Sequence, residues 1–302
     1  MLESLLVDLG FAIIAVGLIS MIMPMRWLGL GTRRKGAMAV VAGVFLEFAA
    51  GNMLDSFLLY LGLFIAIAAM VSLIRPIRFL YIQSRQVAAM VLAGGLLLVI
   101  AALFLPAGTE KVSTRGTRLD EWMPRFQIAE QHTIHIAAKP ETAFAAIHAV
   151  RADEIFLFRT LVALRRCGQN GPESIMNPPE EKPLLDVATQ TTFVLLAEEP
   201  LREIVIGTVA AAPRGTRASA SGLTPQLFRR KLPPGVALAT MNFLVLPDDR
   251  GGSAISTETR IYANSESALR RFVIYWRVIH PGSDIIRRMW LRAIKQRAEG
   301  SG

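Results

Sequence analysis

Residues Val87 to Pro106 form a run of 20 positions without a charge, VAAMVLAGGLLLVIAALFLP. Wound as an α-helix at about 1.5 Å per residue, the run is about 30 Å long, the thickness of a bilayer's hydrocarbon core. Ser56 to Ile74 is a second uncharged run, of 19 residues. Leu5 to Met25 is a third, interrupted only by Asp8. Gly36 to Leu54 is a fourth and weaker one, because Glu47 lies inside it. An acid near a helix centre costs about 2.5–3.5 kcal/mol on insertion scales.

Charge decides the weak case. Residues 26–35 hold Arg26, Arg33, Arg34 and Lys35 and no acid, and residues 75–85 hold Arg75, Arg78 and Arg85 and no acid. If the fourth segment spans, both basic loops lie on one side, as the positive-inside rule requires. The pattern therefore predicts an α-helical membrane domain of four transmembrane helices over residues 1–106, with both termini outside the cytoplasm. The N-terminus lacks the basic region and small-residue site of a cleaved signal peptide. Asp8 and Glu47 are the ionisable residues inside these segments. With no basic or histidine partner among the runs, they read as interfacial or hydrogen-bonded groups rather than as a proton relay.

The charge returns after residue 110. Residues 1–110 carry 7 Lys/Arg and 5 Asp/Glu, whereas residues 111–302 carry 26 and 19. Residues 107–121, polar and rich in Gly and Thr, read as a linker, and residues 122–302 as one globular domain. The single cysteine, Cys167, excludes an intrachain disulfide and a multi-cysteine zinc site.

Alternation predicts a strand over 126–138, and Pro140 with Glu141 opens a helix. A second helix is expected over 153–166, with Ile155, Phe156, Leu161, Val162 and Leu164 on one face. Strands are expected at 193–197 and 203–210, the latter apolar on both faces, followed by a hairpin of 236–246 and 254–263 around PDDRGG. Leu269, Phe272, Val273, Trp276 and Ile279 mark one face of a C-terminal helix. Pro281 and Gly282 should kink or break it, with Ser283 or Asp284 capping a second half.

The run HTIHIAAKPETAFAAI resembles the opening of SRPBCC domains, the START-like and polyketide-cyclase-like superfamily. The segments FVLLAEEPLREIVIGTV, TMNFLVLPDD, STETRIYAN and RRFVIYWRVIHPGSDIIRRMWLRAIKQRAE look like an uncharacterised branch of it, so the resemblance covers about residues 124–299. It implies an α+β helix-grip domain, a curved antiparallel sheet around a long C-terminal helix, with a hydrophobic cavity between them.

Motifs of known chemistry are absent: no nucleophile elbow, phosphate loop, zinc-protease helix or dinucleotide fingerprint is present. No catalytic residue, cofactor or metal ligand is therefore assigned. His132 and His135 point to opposite faces of one strand and cannot chelate together; His132 shares the inward phase of Ile134 and reads as a hydrogen-bonded strand residue, with a polar handle for a cavity as the alternative. His280 reads as a helix-end residue. Glu258 and Arg260 read as a surface ion pair. The cavity-lining candidates are His132, Phe144, Phe156, Leu227, Phe228, Phe272, Tyr275 and Trp276. Residues 211–235 hold five bases and no acid, and Arg229, Arg230 and Lys231 are the candidate membrane-surface residues.

The expected partners are membrane lipid and a hydrophobic small molecule. Nucleic acid is not expected, because the domain is placed outside the cytoplasm. The function that fits is a binding module at the outer surface of the cytoplasmic membrane, holding a lipid or other apolar molecule. A cyclase- or dehydratase-type enzyme and a membrane scaffold or regulatory protein are the alternatives. The enzyme needs a titratable group facing the cavity, and the sequence offers His132 and Tyr275.

Overall fold

The computed structural model describes residues 2–50, 54–74, 82–169, 171–213, 223–249 and 251–300. The chain divides into two units, Met1–Pro106 and Ala107–Gly302.

The first unit is helical: α1 (Leu2–Ile22), α2 (Arg33–Ala50), α3 (Leu54–Ile74) and α4 (Arg85–Phe104). Helix α1 packs on α2, and α3 on α4. The pairs approach closely because glycines face each other. A methyl group on Gly62 would sit 2.9 Å from the Gly95 carbonyl oxygen, and one on Gly95 would sit 2.8 Å from the Ala66 backbone nitrogen. Small residues at such crossings let two backbones touch.

Four spanning helices are not what the structure supports. Among the described residues, two helices are long and apolar enough to cross a membrane, Ser56–Ile74 and Arg85–Phe104. In α1 (Leu2–Ile22), the apolar stretch found among the described residues is the shorter one, Ala12–Ile22. Helix α2 opens on Arg33, Arg34 and Lys35, which use up its first turn in charge. Phe64, Ile67, Met70 and Ile74 of α3, and Met90, Leu97, Ile100 and Phe104 of α4, are exposed. Exposed apolar surface on this scale suits lipid rather than water. The side chains of Asp8 and Glu47, and residues Arg75 and Arg78, lie outside what is described.

The second unit is a mixed α/β fold. Its main sheet has five antiparallel strands in the order β3-β7-β6-β5-β4. These are β3 (Ile128–Ile136), β4 (Val194–Glu199), β5 (Glu203–Ala211), β6 (Ala237–Pro247) and β7 (Ser253–Ala263). Strands β4 to β7 follow one another as a meander, while β3 pairs with β7. The helices are α5 (Arg118–Trp122), α6 (Pro140–Ala149), α7 (Phe158–Arg165), α8 (Leu184–Thr191) and α9 (Glu266–Gly300).

Each face of the sheet has its own cover. Ile204, Ile206, Met241, Phe243, Val245, Ile255 and Ile136 meet α6, α8 and the C-terminal part of α9, where Trp290 sets its ring 5.0 Å from that of Phe243. The opposite face carries Val205 and Leu238, which meet α5, Phe126 and Phe228. Strand β5 is buried on both sides for this reason.

Residues 107–121, read as a linker, contribute to that second cover. They contain β1 (Glu110–Lys111), which pairs with β2 (Arg125–Phe126), and most of α5. Thr117 and Asp120 form a capping box at the start of α5. Glu203, wholly buried on β5, accepts the backbone N–H groups of Arg118 and Leu119 at 2.6 and 3.1 Å. A carboxylate at the first turn of a helix satisfies donors that otherwise lack partners.

Two helices differ from the sequence expectation. Helix α7 is shorter, and its buried side chains are Phe158 and Val162, with Ile155 just before it. Phe156 and Leu164 are exposed: Phe156 precedes α7, next to Leu157 in a left-handed conformation (φ 60°), and Leu164 lies off the buried stripe of Phe158 and Val162. Helix α9 runs unbroken for 35 residues with Pro281 inside it. Pro281 lacks the N–H of one helical turn, but the helix stays whole and packs against β3, where His280 and Ser283 on either side of Pro281 meet Glu130.

Candidate functional site

On β3, Ile128, Glu130, His132, Ile134 and Ile136 share one phase and face inward. On α9, Trp276, His280, Ser283, Arg287 and Trp290 recur at steps of three and four along the buried stripe. Both series are apolar at their ends and polar in the middle. Their polar middles meet.

The geometry is close. His132 Nε2 lies 2.9 Å from Glu130 Oε1 and 3.4 Å from Asp284 Oδ1. Ser283 Oγ donates to Glu130 Oε2 at 3.1 Å, and His280 Nε2 stands 3.9 Å from the same oxygen. Arg288 holds both oxygens of Asp284, at 2.8 and 3.1 Å. Arg287 Nη1 donates to Thr257 Oγ1 at 3.4 Å, and its charge acts on Glu130. Burial alone would push the Glu130 carboxyl up. The hydrogen bond and charge of His132, with the charges of His280 and Arg287, hold it below the usual carboxylate range instead.

The sequence placed His132 inward, and it is there. His280 is not a helix-end residue but a buried mid-helix one, and Asp284 is not a cap because the helix does not restart. Glu130, on the same parity as His132, is a further residue of this cluster, and strand alternation is the sequence signal that marks it.

The other candidates fall into separate places. Phe144 is core on α6. Phe156 is exposed. Phe272 and Trp276 are buried on α9 and stack with ring centroids 6.1 Å apart. Tyr275 is partly exposed, and its hydroxyl meets the Arg165 guanidinium.

Leu227, Phe228 and Arg229 sit in a 3-10 turn, Pro225–Arg229. Phe228 packs on the opposite face of the sheet, against Leu238, Val205 and Leu196. It is therefore not brought to the side of α9 that holds His132. A methyl group on Gly207 would lie 2.5 Å from the Phe228 ring, so the glycine is what lets the ring onto the sheet.

The three bases also separate. Arg229 stacks over Trp122, its guanidinium carbon 4.4 Å from the ring centre. Arg230 and Lys231 line a cavity of about 340 Å³ together with Phe228, Leu232, Leu238 and Tyr262. It is half open to solvent, and its lining mixes apolar side chains with the two bases and Asn264. Arg214 and Arg217 lie outside the described residues.

The expected surface pair of Glu258 and Arg260 exists but is not on the surface. Arg260 is buried beneath α5, bonded to Glu258 at 2.6 Å and to Asp120 at 2.7 Å. Alternation correctly turned these residues away from α9; it could not show that the outward face is covered as well.

Comparison with known protein families, with curated proteins and with solved structures finds no match for this chain.

Proposed function

We propose that the second unit is a membrane-tethered binding domain for an anionic, lipid-like molecule, held in the cavity lined by Phe228, Arg230, Lys231 and Tyr262. That cavity carries the reading. Its volume, about 340 Å³, lies in the range of small-molecule sites, and it sets apolar side chains beside two bases. Val236, Leu238 and Tyr262 suit an acyl segment; Arg230 and Lys231 suit a phosphate or carboxylate head.

Two span-grade helices in the same chain keep such a domain beside its ligand. The bases Arg75, Arg78 and Arg85 between them favour a cytoplasmic connection, which leaves the second unit outside. The resemblance of the 124–299 segments to SRPBCC domains supports a hydrophobic ligand in general. It does not point to this face of the sheet.

The test uses the full chain in mild detergent and a short-chain anionic lipid, dioctanoyl phosphatidylglycerol, with the zwitterionic phosphatidylcholine analogue for comparison. The parent should prefer the anionic lipid, and the double change Arg230→Glu, Lys231→Glu should weaken its binding by roughly tenfold or more. Equal binding of both lipids, or equal binding by parent and variant, ends the proposal.

A further inference from the structure

We infer that Glu130, His132 and Asp284 form a binding site for one divalent cation of the zinc type, independent of the lipid site on the other face of the sheet. His132 Nε2, Glu130 Oε1 and Asp284 Oδ1 all lie within 4.8 Å of one another. Ligand atoms about 2.1 Å from a tetrahedral metal are about 3.4 Å apart. The distances from His132 Nε2 to the two carboxylate oxygens are 2.9 and 3.4 Å.

The convergence is unbalanced as a hydrogen-bond arrangement. A ring nitrogen has at most one proton, and Nε2 faces two anionic oxygens. The ring proton serves one of these two oxygens at a time, while Arg288 holds Asp284 and Ser283 the far oxygen of Glu130. A cation at the common centre serves all three atoms, with the imidazole neutral and its lone pair turned inward.

The surroundings are those of a supported site. Ser283 donates to the far oxygen of Glu130, and His280 stands behind the same oxygen. Arg288 clamps Asp284 through both oxygens, and an oxygen that accepts from arginine keeps a second lone pair for a metal. Such outer partners orient metal ligands. Glu130 and His132 come from one strand and Asp284 from the helix crossing it, so both supports are regular elements.

Donor chemistry selects the ion. One imidazole and two carboxylates suit zinc and its divalent neighbours rather than soft monovalent copper. Calcium and magnesium are hard cations that prefer all-oxygen sets, so the His132 nitrogen disfavours both. Arg287 and Arg288 already stand against the two carboxylates, so a cation binds there in competition with their charges and no second ion is accommodated. Three protein ligands leave a fourth position for water, the pattern of zinc sites that act on a substrate.

The experiment takes tag-free full-length protein in mild detergent, strips it with a chelator and titrates it with Co²⁺, whose visible absorption reports its coordination. One Co²⁺ per chain should bind and be displaced by Zn²⁺. His132→Ala and Asp284→Asn should each weaken binding by more than about a hundredfold, beyond the loss typical of an outer partner. His135→Ala, which removes an exposed histidine paired with Asp248, should leave it unchanged. If His132→Ala does not fold, His132→Gln replaces it, since the amide still donates to Glu130 but ligates poorly. Failure of the parent to take up stoichiometric Co²⁺ overturns the inference, as does equal uptake by the folded His132 variant. Neither result bears on lipid binding at Arg230 and Lys231.

Discussion

Arg260 and Asp120, 140 positions apart in sequence, meet at 2.7 Å on the face of the sheet turned away from α9. Both side chains are about 8% exposed. The arginine also grips both oxygens of Glu258 and lies over the Phe126 ring at 4.8 Å. This one side chain ties α5 and β2 to the sheet. Replacing it with Ala leaves Asp120 as a buried charge without its cation. Arg260→Ala should therefore cost about 3–5 kcal/mol in the unfolding of the second unit. A loss below about 1 kcal/mol in urea melts would show that α5 is held by its apolar contacts alone.

The same pair sets an acid response. Burial pushes the Asp120 carboxyl up, but the Gly116 and Thr117 N–H groups, the Thr117 side chain and Arg260 outweigh it, and the group titrates below its ordinary value. A depressed carboxylate stabilises the fold at neutral pH. That contribution begins to fade as pH falls towards the unfolded value of about 3.9, and it is lost below the folded one. Thermal melts of the parent should steepen downward below about pH 4. Asp120→Asn should be less stable at pH 7 and fall less on acidification, so that the two curves approach each other. Parallel curves would contradict the assignment.

Gly207 should not tolerate a side chain. A methyl group there meets the Phe228 ring at 2.5 Å and the Leu196 side chain at 2.7 Å. Gly207→Ala should cost about 1–3 kcal/mol by overpacking. Because Phe228 also lines the 340 Å³ cavity, the displaced ring should alter lipid binding at that site. Protease cutting near 223–232 should rise. An unchanged melt with unchanged cutting would mean that the 3-10 turn is already loose.

In the first unit, the contact of α3 with α4 should depend on Gly62 and Gly95. A leucine at 95 has no room beside Ala66, whose backbone nitrogen lies 2.8 Å from the position of a first side-chain carbon. Gly95→Leu should lower the detergent-phase melting transition, again by about 1–3 kcal/mol. Gly94→Leu, with nothing within 4 Å, should have little effect. Equal melts for the two variants would place the helix contact elsewhere.

Local signals carried much of the second unit's fold. Pro140 and Glu141 marked α6 to the residue, and PDDRGG marked the turn between β6 and β7. What local signals lacked was the second layer. Arg118, Leu119 and Asp120 look like polar linker, and their role depends on Glu203 and Arg260, far along the chain. Pro281 is a strong breaker in isolation, and packing against β3 overrode it. Apolar content alone was also insufficient in the first unit, where α2 has the length but not the uniform apolarity of a span. In the inner cluster, His132 was legible from strand parity. His280, Ser283 and Arg287 were legible only once the two tryptophans 276 and 290 were seen to belong to one uninterrupted helix.

The strand order also imposes a sequence of events on synthesis. Strand β3 is made first, yet its strand partner β7 is made last among the five. The Gln127 side chain bonds both the N–H and the carbonyl of Ala263, 136 positions later. At about 5–20 residues per second, β3 leaves the ribosome roughly 6–25 seconds before it can pair. During that wait it is an unpaired edge, the kind of segment that recruits other chains. Glu130, His132 and His135 break up its apolar run and lower that risk. The charged middle of β3 thus protects the nascent chain before it has any place in a folded site.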